Sequence, residues 1–205
     1  MNRKRVVIFI SGGGSNMEAL IRAAQAPDFP VQVVAVFSDK TEASGLAKAQ
    51  AAGVSTHIFP RKEYASKDVH EDAILAALAT IKPDIICLAG YMRLLSRRFI
   101  TPYAGRILNI HPSLLPLFPG LHTHQRALDA GMKLAGCTVH LVTEGVDEGP
   151  ILAQAAVPIL DGDTADILAA RVLKAEHRLY ALALCKFATG KTEGDGLQNA
   201  MVISA

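Results

Sequence analysis

Apolar runs and helical periods alternate along this chain. Arg5-Val6-Val7-Ile8-Phe9-Ile10 is a continuous run rich in β-branched residues, the pattern of a strand covered on both faces. A glycine run breaks it, and Ser15-Asn16-Met17-Glu18 then reads as a capping box opening a helix that ends before Pro27. Val31 to Phe37 predicts a second strand, Ala43 to Ala52 a helix closed by Gly53, and Val54 to Phe59 a third strand. Ile74, Leu75, Leu78 and Ile81 predict a helix over Lys67 to Lys82, stopped by Pro83. Asp84 to Ala89 and Arg106 to Ile110 follow as the fourth and fifth strands. Val139 to Val142 and Ile151 to Ile159 lie so close together that they predict a hairpin or mixed pairing instead of another helical crossover. Leu168, Val172, Ala175, Leu179 and Leu182 share one face of a long helix from Thr164 to Phe187, with Asp163 and Asp166 placed to oppose its N-terminal dipole. The alternation predicts an α/β fold: a doubly wound, mainly parallel but mixed seven-stranded sheet with helices on both faces. Residues 1–190 are expected to form a single domain, and 191–205 a loosely ordered tail.

Composition narrows the classes. Of 205 residues half are hydrophobic, 5% are aromatic, none is Trp, and the formal net charge is +2. That is too apolar for a disordered chain and too near neutral for electrostatic binding of nucleic acid. No apolar run approaches the roughly 20 residues that span a bilayer. Met1 to Arg5 is basic, but glycines follow Ile10 at once, so a buried strand is expected there and not a signal peptide. Cys87, Cys137 and Cys185 are widely spaced and sit in apolar surroundings, as in a reduced cytoplasmic protein.

On a doubly wound sheet ligands bind at the carboxyl ends of the strands, so chemistry is sought there. Ser11-Gly12-Gly13-Gly14-Ser15-Asn16 offers a tight turn and a helix N-terminus able to cradle a phosphate or carboxylate. It is no Walker loop, and Met17 stands where a dinucleotide fingerprint needs its third glycine. A nicotinamide oxidoreductase, with Asp39 on the ribose, is therefore a weaker reading, as is a non-catalytic nucleotide sensor. Gly90-Tyr91-Met92-Arg93-Leu94-Leu95 could form an apolar slot after the fourth strand. Asn109 and His111 share one side of the fifth strand and enter a proline-stiffened loop. Asn offers a neutral donor to a developing oxyanion, and His a proton near neutral pH. Asp147, if it meets His111, would favour the imidazolium. His122 and His124 form a metal-pair candidate that no second His- or Cys-rich element supports.

Ser-Gly-x-Gly-Ser-Asn, Ala-Gly-Tyr-Met-Arg, Asn-Ile-His-Pro-Ser-Leu-Leu-Pro and Val-Asp-x-Gly-Pro, in this order over about residues 5–190, resemble the folate-dependent formyltransferases. Pro119 to His124 points to members that act on glycinamide ribonucleotide in purine biosynthesis. The resemblance implies a catalytic triad of Asn109, His111 and Asp147 and a ribonucleotide site at Gly12, Gly13, Gly14, Ser15 and Asn16, with Glu176 near the ribose. It implies a folate pocket walled by Met92, Arg93, Leu94 and Leu95 and by Gly145, Val146 and Asp147, with Asn109 facing it and Lys67 near the folate tail. Gly13 departs from a frequent Asn, Lys67 from a frequent Arg, and Glu144-Gly145 from a more acidic loop start. A cis peptide before Pro116 is also implied. The implied cosubstrate is 10-formyltetrahydrofolate, without metal. The implied partners are small molecules, with no nucleic acid and no membrane, for a monomer or weak homodimer. Other folate-dependent formyltransferases and formyltetrahydrofolate hydrolase are the alternatives. Methionyl-tRNA formyltransferase adds a C-terminal domain and the hydrolase an N-terminal one; with a first strand at Arg5 and a short stretch after Gly190, neither is the expected reading.

Overall fold

Strands that must be apolar at consecutive positions occupy the interior of the sheet. The computed structural model describes residues 3–190 and 200–202, and the chain divides into two compact units, Met1–Leu108 and Asn109–Ala205. In the first unit the strand order is β3 (Ser55–Ile58), β2 (Val31–Ser38), β1 (Lys4–Ile10), β4 (Ile85–Leu88), then the start of β5 (Ile107–His111). β2 pairs parallel with β1 and β3, and β1 parallel with β4. Val6 to Ile10 are wholly buried, as a strand covered on both faces requires. The few aromatic side chains gather around Phe9: Phe37 stacks at 5.2 Å between centroids, and Tyr91 meets it edge-on at 5.1 Å.

Helices α1 (Ser15–Ala24), α2 (Gly45–Ala51), α3 (Lys67–Ile81) and α4 (Arg97–Ile100) lie where the strands are connected. The capping box expected at Ser15 does not form. The glycine turn puts Gly14, at φ 67°, in the N-cap position, so Ser15 is already helical, and Glu18 pairs with Lys48 at 2.7 Å. Real serine caps appear at Ser66, which accepts from the Val69 N–H, and at Ser96, which accepts from the Phe99 N–H. α2 opens on Gly45 because a Cβ there would lie 2.6 Å from the Ile10 side chain and 2.9 Å from the Gly12 carbonyl oxygen. The second helix thereby packs directly on the glycine turn.

In the second unit the order is β5, β6 (Leu134–Leu141), β7 (Ile151–Pro158), β8 (Ala200–Val202). β6 and β7 form the expected antiparallel hairpin, and β8 is a short strand parallel to β7. The seven predicted strands are all present. β6 starts at Leu134 and not Val139, because Ala135-Gly136-Cys137-Thr138 carries little β-branched bulk yet is buried. A Cβ on Gly136 would sit 2.0 Å from the Ala155 carbonyl oxygen, so the strand needs small residues there. α5 spans Thr123–Asp129 and α6 Ala165–Thr189. The face of α6 predicted from Leu168 to Leu179 is buried; beyond it Tyr180, Ala183 and Leu184 continue the contact while Leu182 is half-exposed. Asp163 does not serve the helix dipole alone: it clamps Arg171 through both carboxylate oxygens, at 2.5 and 2.9 Å. Apart from β8, the tail expected to be loose lies outside the described residues. Among the described residues no helix is long and apolar enough to cross a membrane.

Candidate active site

β5 delivers Asn109 and His111 two residues apart, hence on one side of the strand. His111 is buried. Its Nε2 lies 3.0 Å from the Phe118 carbonyl oxygen and its Nδ1 3.3 Å from Asp147 Oδ2, so only the doubly protonated ring donates to both. Asp147 sits in the β6–β7 loop at φ 56°, a left-handed backbone that Asp tolerates better than most residues. Its Oδ2 accepts the Gly120 N–H at 2.9 Å, and its Oδ1 is 3.6 Å from His140 Nε2. Burial alone would raise this carboxyl. The bond from the Gly120 N–H and the charge of His111 outweigh it and hold Asp147 below the ordinary carboxylate range.

His140, buried on β6, is the part of the site that sequence reasoning missed. Its Nδ1 donates to the Leu141 carbonyl at 3.0 Å, which leaves Nε2 of the neutral ring as an acceptor for the Asn109 side-chain N–H at 3.1 Å. The Asn109 amide is thus held by one N–H while the other remains free to donate. A signal existed: Thr138 and His140 alternate as buried polar residues on one face of a strand. The strand as predicted began after Thr138.

The loop after β5 is held from several sides. Thr138 Oγ1 donates to the Ser113 carbonyl and accepts from the Leu115 N–H, while Gln154 donates to the Leu115 carbonyl. The peptide before Pro116 is cis, as the resemblance implied. Phe118 and His122 adopt φ of 55° and 58°, a conformation costing about 1–2 kcal/mol per non-glycine residue. Arg126 on α5 reaches back to this turn, donating to the Pro119 carbonyl at 2.6 Å. His122 ends the turn as the N-cap of α5. His124 holds an enclosed Nε2 without a hydrogen-bond partner, its pKa lowered by burial and then by His111. Among the described residues no three His, Cys, Asp or Glu are grouped to hold a metal ion. Gly145 and Val146 precede Asp147 in its loop, and Val146 is exposed. Glu176 is buried on α6; burial, and then the charge of Glu176, push the Cys137 thiol of β6 up.

In the first unit the strand order reverses between β1 and β4, the place where doubly wound sheets bind ligands. The loops after these two strands are tied together. Ser11 Oγ accepts the Met92 N–H at 2.8 Å and donates to Asp39 at 2.5 Å, and Arg93 Nε donates to the other Asp39 oxygen at 2.6 Å. The Asp39 side chain is 0% exposed and both its oxygens are engaged, which removes it as a ribose ligand. Met17, in the third-glycine position, is wholly buried. Gly12 and Gly13 have no atom within 4 Å of where a Cβ would stand, so their side of the turn is open beside the first-turn N–H groups of α1. Met92 and Leu94 are exposed apolar side chains in the loop after β4, and Leu95 is half-buried. Lys67 lies 3.8 Å from Glu71, a buried carboxylate that also accepts the Ser96 N–H. The structure therefore joins Asn109, His111 and Asp147 in one unit, and Gly12–Asn16 with Met92–Leu95 in the other.

Residues 4–184 match the formyl transferase family, and the match runs through all of these positions. The chain belongs to the formyl transferase family. It is 44% identical over 186 residues to phosphoribosylglycinamide formyltransferase of Escherichia coli (strain K12), covering 91% of this chain and 88% of that one. It is 47% identical to the trifunctional purine biosynthetic protein adenosine-3 of Drosophila melanogaster, but spans only 14% of that protein's length. A crystal structure of phosphoribosylglycinamide formyltransferase from Brucella melitensis superposes with a TM-score of 0.89 at 83% identity, over 93% of this chain and 98% of that one. These formyl transferases share the mixed α/β sheet described above.

Proposed function

We propose that this chain transfers the formyl group of 10-formyltetrahydrofolate to the amine of glycinamide ribonucleotide, a step of purine biosynthesis. The observation that carries the mechanism is the Asp147 carboxylate facing two imidazoles, one of which holds the Asn109 amide. In the proposed reaction the amine attacks the formyl carbon, a C–N bond forms, and the carbonyl oxygen gains negative charge. The free N–H of Asn109 and a His111 N–H donate to that oxygen. Such a donor is worth about two to three powers of ten in rate. The 3.3 Å contact of His111 with Asp147 is loose enough for the N–H to be shared when charge develops. Asp147, through water, takes the proton that the amine loses and passes it to the folate nitrogen as the old C–N bond breaks. The products are formylated glycinamide ribonucleotide and tetrahydrofolate, and no step calls on a metal.

Gly12, Gly13, Gly14, Ser15 and Asn16 hold the phosphate in this reading: the open glycine turn and the helix N-terminus bind one dianion without a basic patch. Glu176 serves the ribose, Lys67 the folate tail. With no Trp in the chain, the exposed aliphatic groups of Met92 and Leu94 wall the pterin. Arg93 shapes that wall from its bond to Asp39, with its backbone and not its charge on the folate side. The enzyme acts in the cytoplasm as a monomer or weak homodimer. Incubating the chain with both substrates and following the ribonucleotide by mass spectrometry tests the reading. A formylated ribonucleotide is expected, and an unmodified one sinks it.

A further inference from the structure

We propose that Arg126 is a positioning residue for the catalytic pair, holding the Phe118–Leu121 turn that contacts both His111 and Asp147. The proposal rests on the reading of His111 and Asp147 as reacting groups. The turn supplies one bond to each: the Phe118 carbonyl accepts from His111 Nε2 at 3.0 Å, and the Gly120 N–H donates to Asp147 Oδ2 at 2.9 Å. Yet Phe118, Gly120 and His122 all have positive φ, and Phe118 and His122 have no glycine's freedom to adopt it. Such a turn keeps its shape only if neighbours over-determine it.

Arg126 is the neighbour placed to do this. Its Nη1 lies 2.6 Å from the Pro119 carbonyl oxygen and 3.3 Å from that of Leu121, and its guanidinium stands 5.3 Å from the Phe118 ring centroid. Its own backbone N–H is anchored on the His122 carbonyl at 3.0 Å, in the first turn of α5. One half-buried guanidinium therefore spans the whole turn. Without it two carbonyls lose their donor and the turn is free to relax, carrying the Phe118 carbonyl and the Gly120 N–H away from the pair. A lysine offers a point charge in place of a fork and restores only part of the brace.

The test compares Arg126→Met and Arg126→Lys with the parent, in the full chain. It reads kcat, both KM values and the ¹H–¹⁵N ring signals of His111. Arg126→Met is expected to lower kcat about tenfold or more, as misplacement of reacting groups does, and to leave both KM values within about twofold. It should also shift the His111 Nε2–H signal as its carbonyl partner moves, with Arg126→Lys intermediate. A folded Arg126→Met with parental kcat, a loss confined to KM, or an unmoved His111 signal overturns the proposal. If Arg126→Met does not fold, Arg126→Lys carries the same three comparisons. The ring signals need no substrate, so they judge the brace even if formyl transfer itself is not observed.

Discussion

The side-chain nitrogen of Asn109 lies 3.1 Å from Nε2 of His140, whose other ring nitrogen is committed to the Leu141 carbonyl. The tautomer this fixes makes His140 an acceptor, and so decides which end of the Asn109 amide faces it. His140→Phe removes the acceptor and leaves the amide free to turn. We expect kcat to fall about ten- to a hundredfold with little change in either KM. Asn109→Ala should cost more, about two to three powers of ten. The double variant should be no worse than Asn109→Ala alone, because His140 acts through the amide. Steady-state kinetics of the three variants check this; additive losses would separate the two residues.

Asp147→Asn keeps a residue tolerant of the left-handed backbone at this position while removing the charge. Turnover should drop at least about a hundredfold. The variant also tests the depressed carboxyl. A carboxylate whose folded pKa lies below its unfolded value adds stability above the unfolded pKa and loses it as pH falls through the folded one. Thermal scans should therefore show the parent more stable than Asp147→Asn near neutrality, with the gap closing in acid. A gap independent of pH would contradict the assigned bonds to Asp147.

Arg93→Met takes the guanidinium away from the buried Asp39 carboxylate and leaves it the Ser11 hydroxyl as a donor. The expected cost is about 1–3 kcal/mol in urea unfolding, less than for a fully buried pair because the Arg93 side chain is 43% exposed. Adding Asp39→Asn to Arg93→Met should recover part of that loss, since the orphaned charge is then gone.

Two glycines should respond in opposite ways. Gly136→Ala drives a methyl into the Ala155 carbonyl and should destabilise by about 1–3 kcal/mol or more, measured by thermal unfolding. Gly12→Ala meets nothing within 4 Å and should leave stability unchanged, while raising KM for the ribonucleotide if the turn holds its phosphate.

The same contrast shows what the sequence could tell. Val6 to Ile10 announced a central strand because a strand buried on both faces has no other way to be written. Asn109 and His111 announced a site because two polar groups share one side of such a strand. The start of β6 was not legible, because Gly136 is chosen for the closeness of Ala155 and its strand signal is weak. Neither was the failure of the Ser15 capping box: the pattern is right, but the glycine turn shifts the N-cap to Gly14. His140 and Arg126 act through partners far along the chain, and spacing carries no trace of such bonds. Asp39 suggested a ribose ligand until the structure placed Ser11 and Arg93 on its two oxygens.

The most direct test of formyl transfer is the deformylation of 10-formyltetrahydrofolate by the purified chain with and without glycinamide ribonucleotide. The account predicts deformylation that depends on the ribonucleotide and matches it in amount, and that collapses in His111→Ala. Deformylation at the same rate without the ribonucleotide would identify a hydrolase and contradict the account.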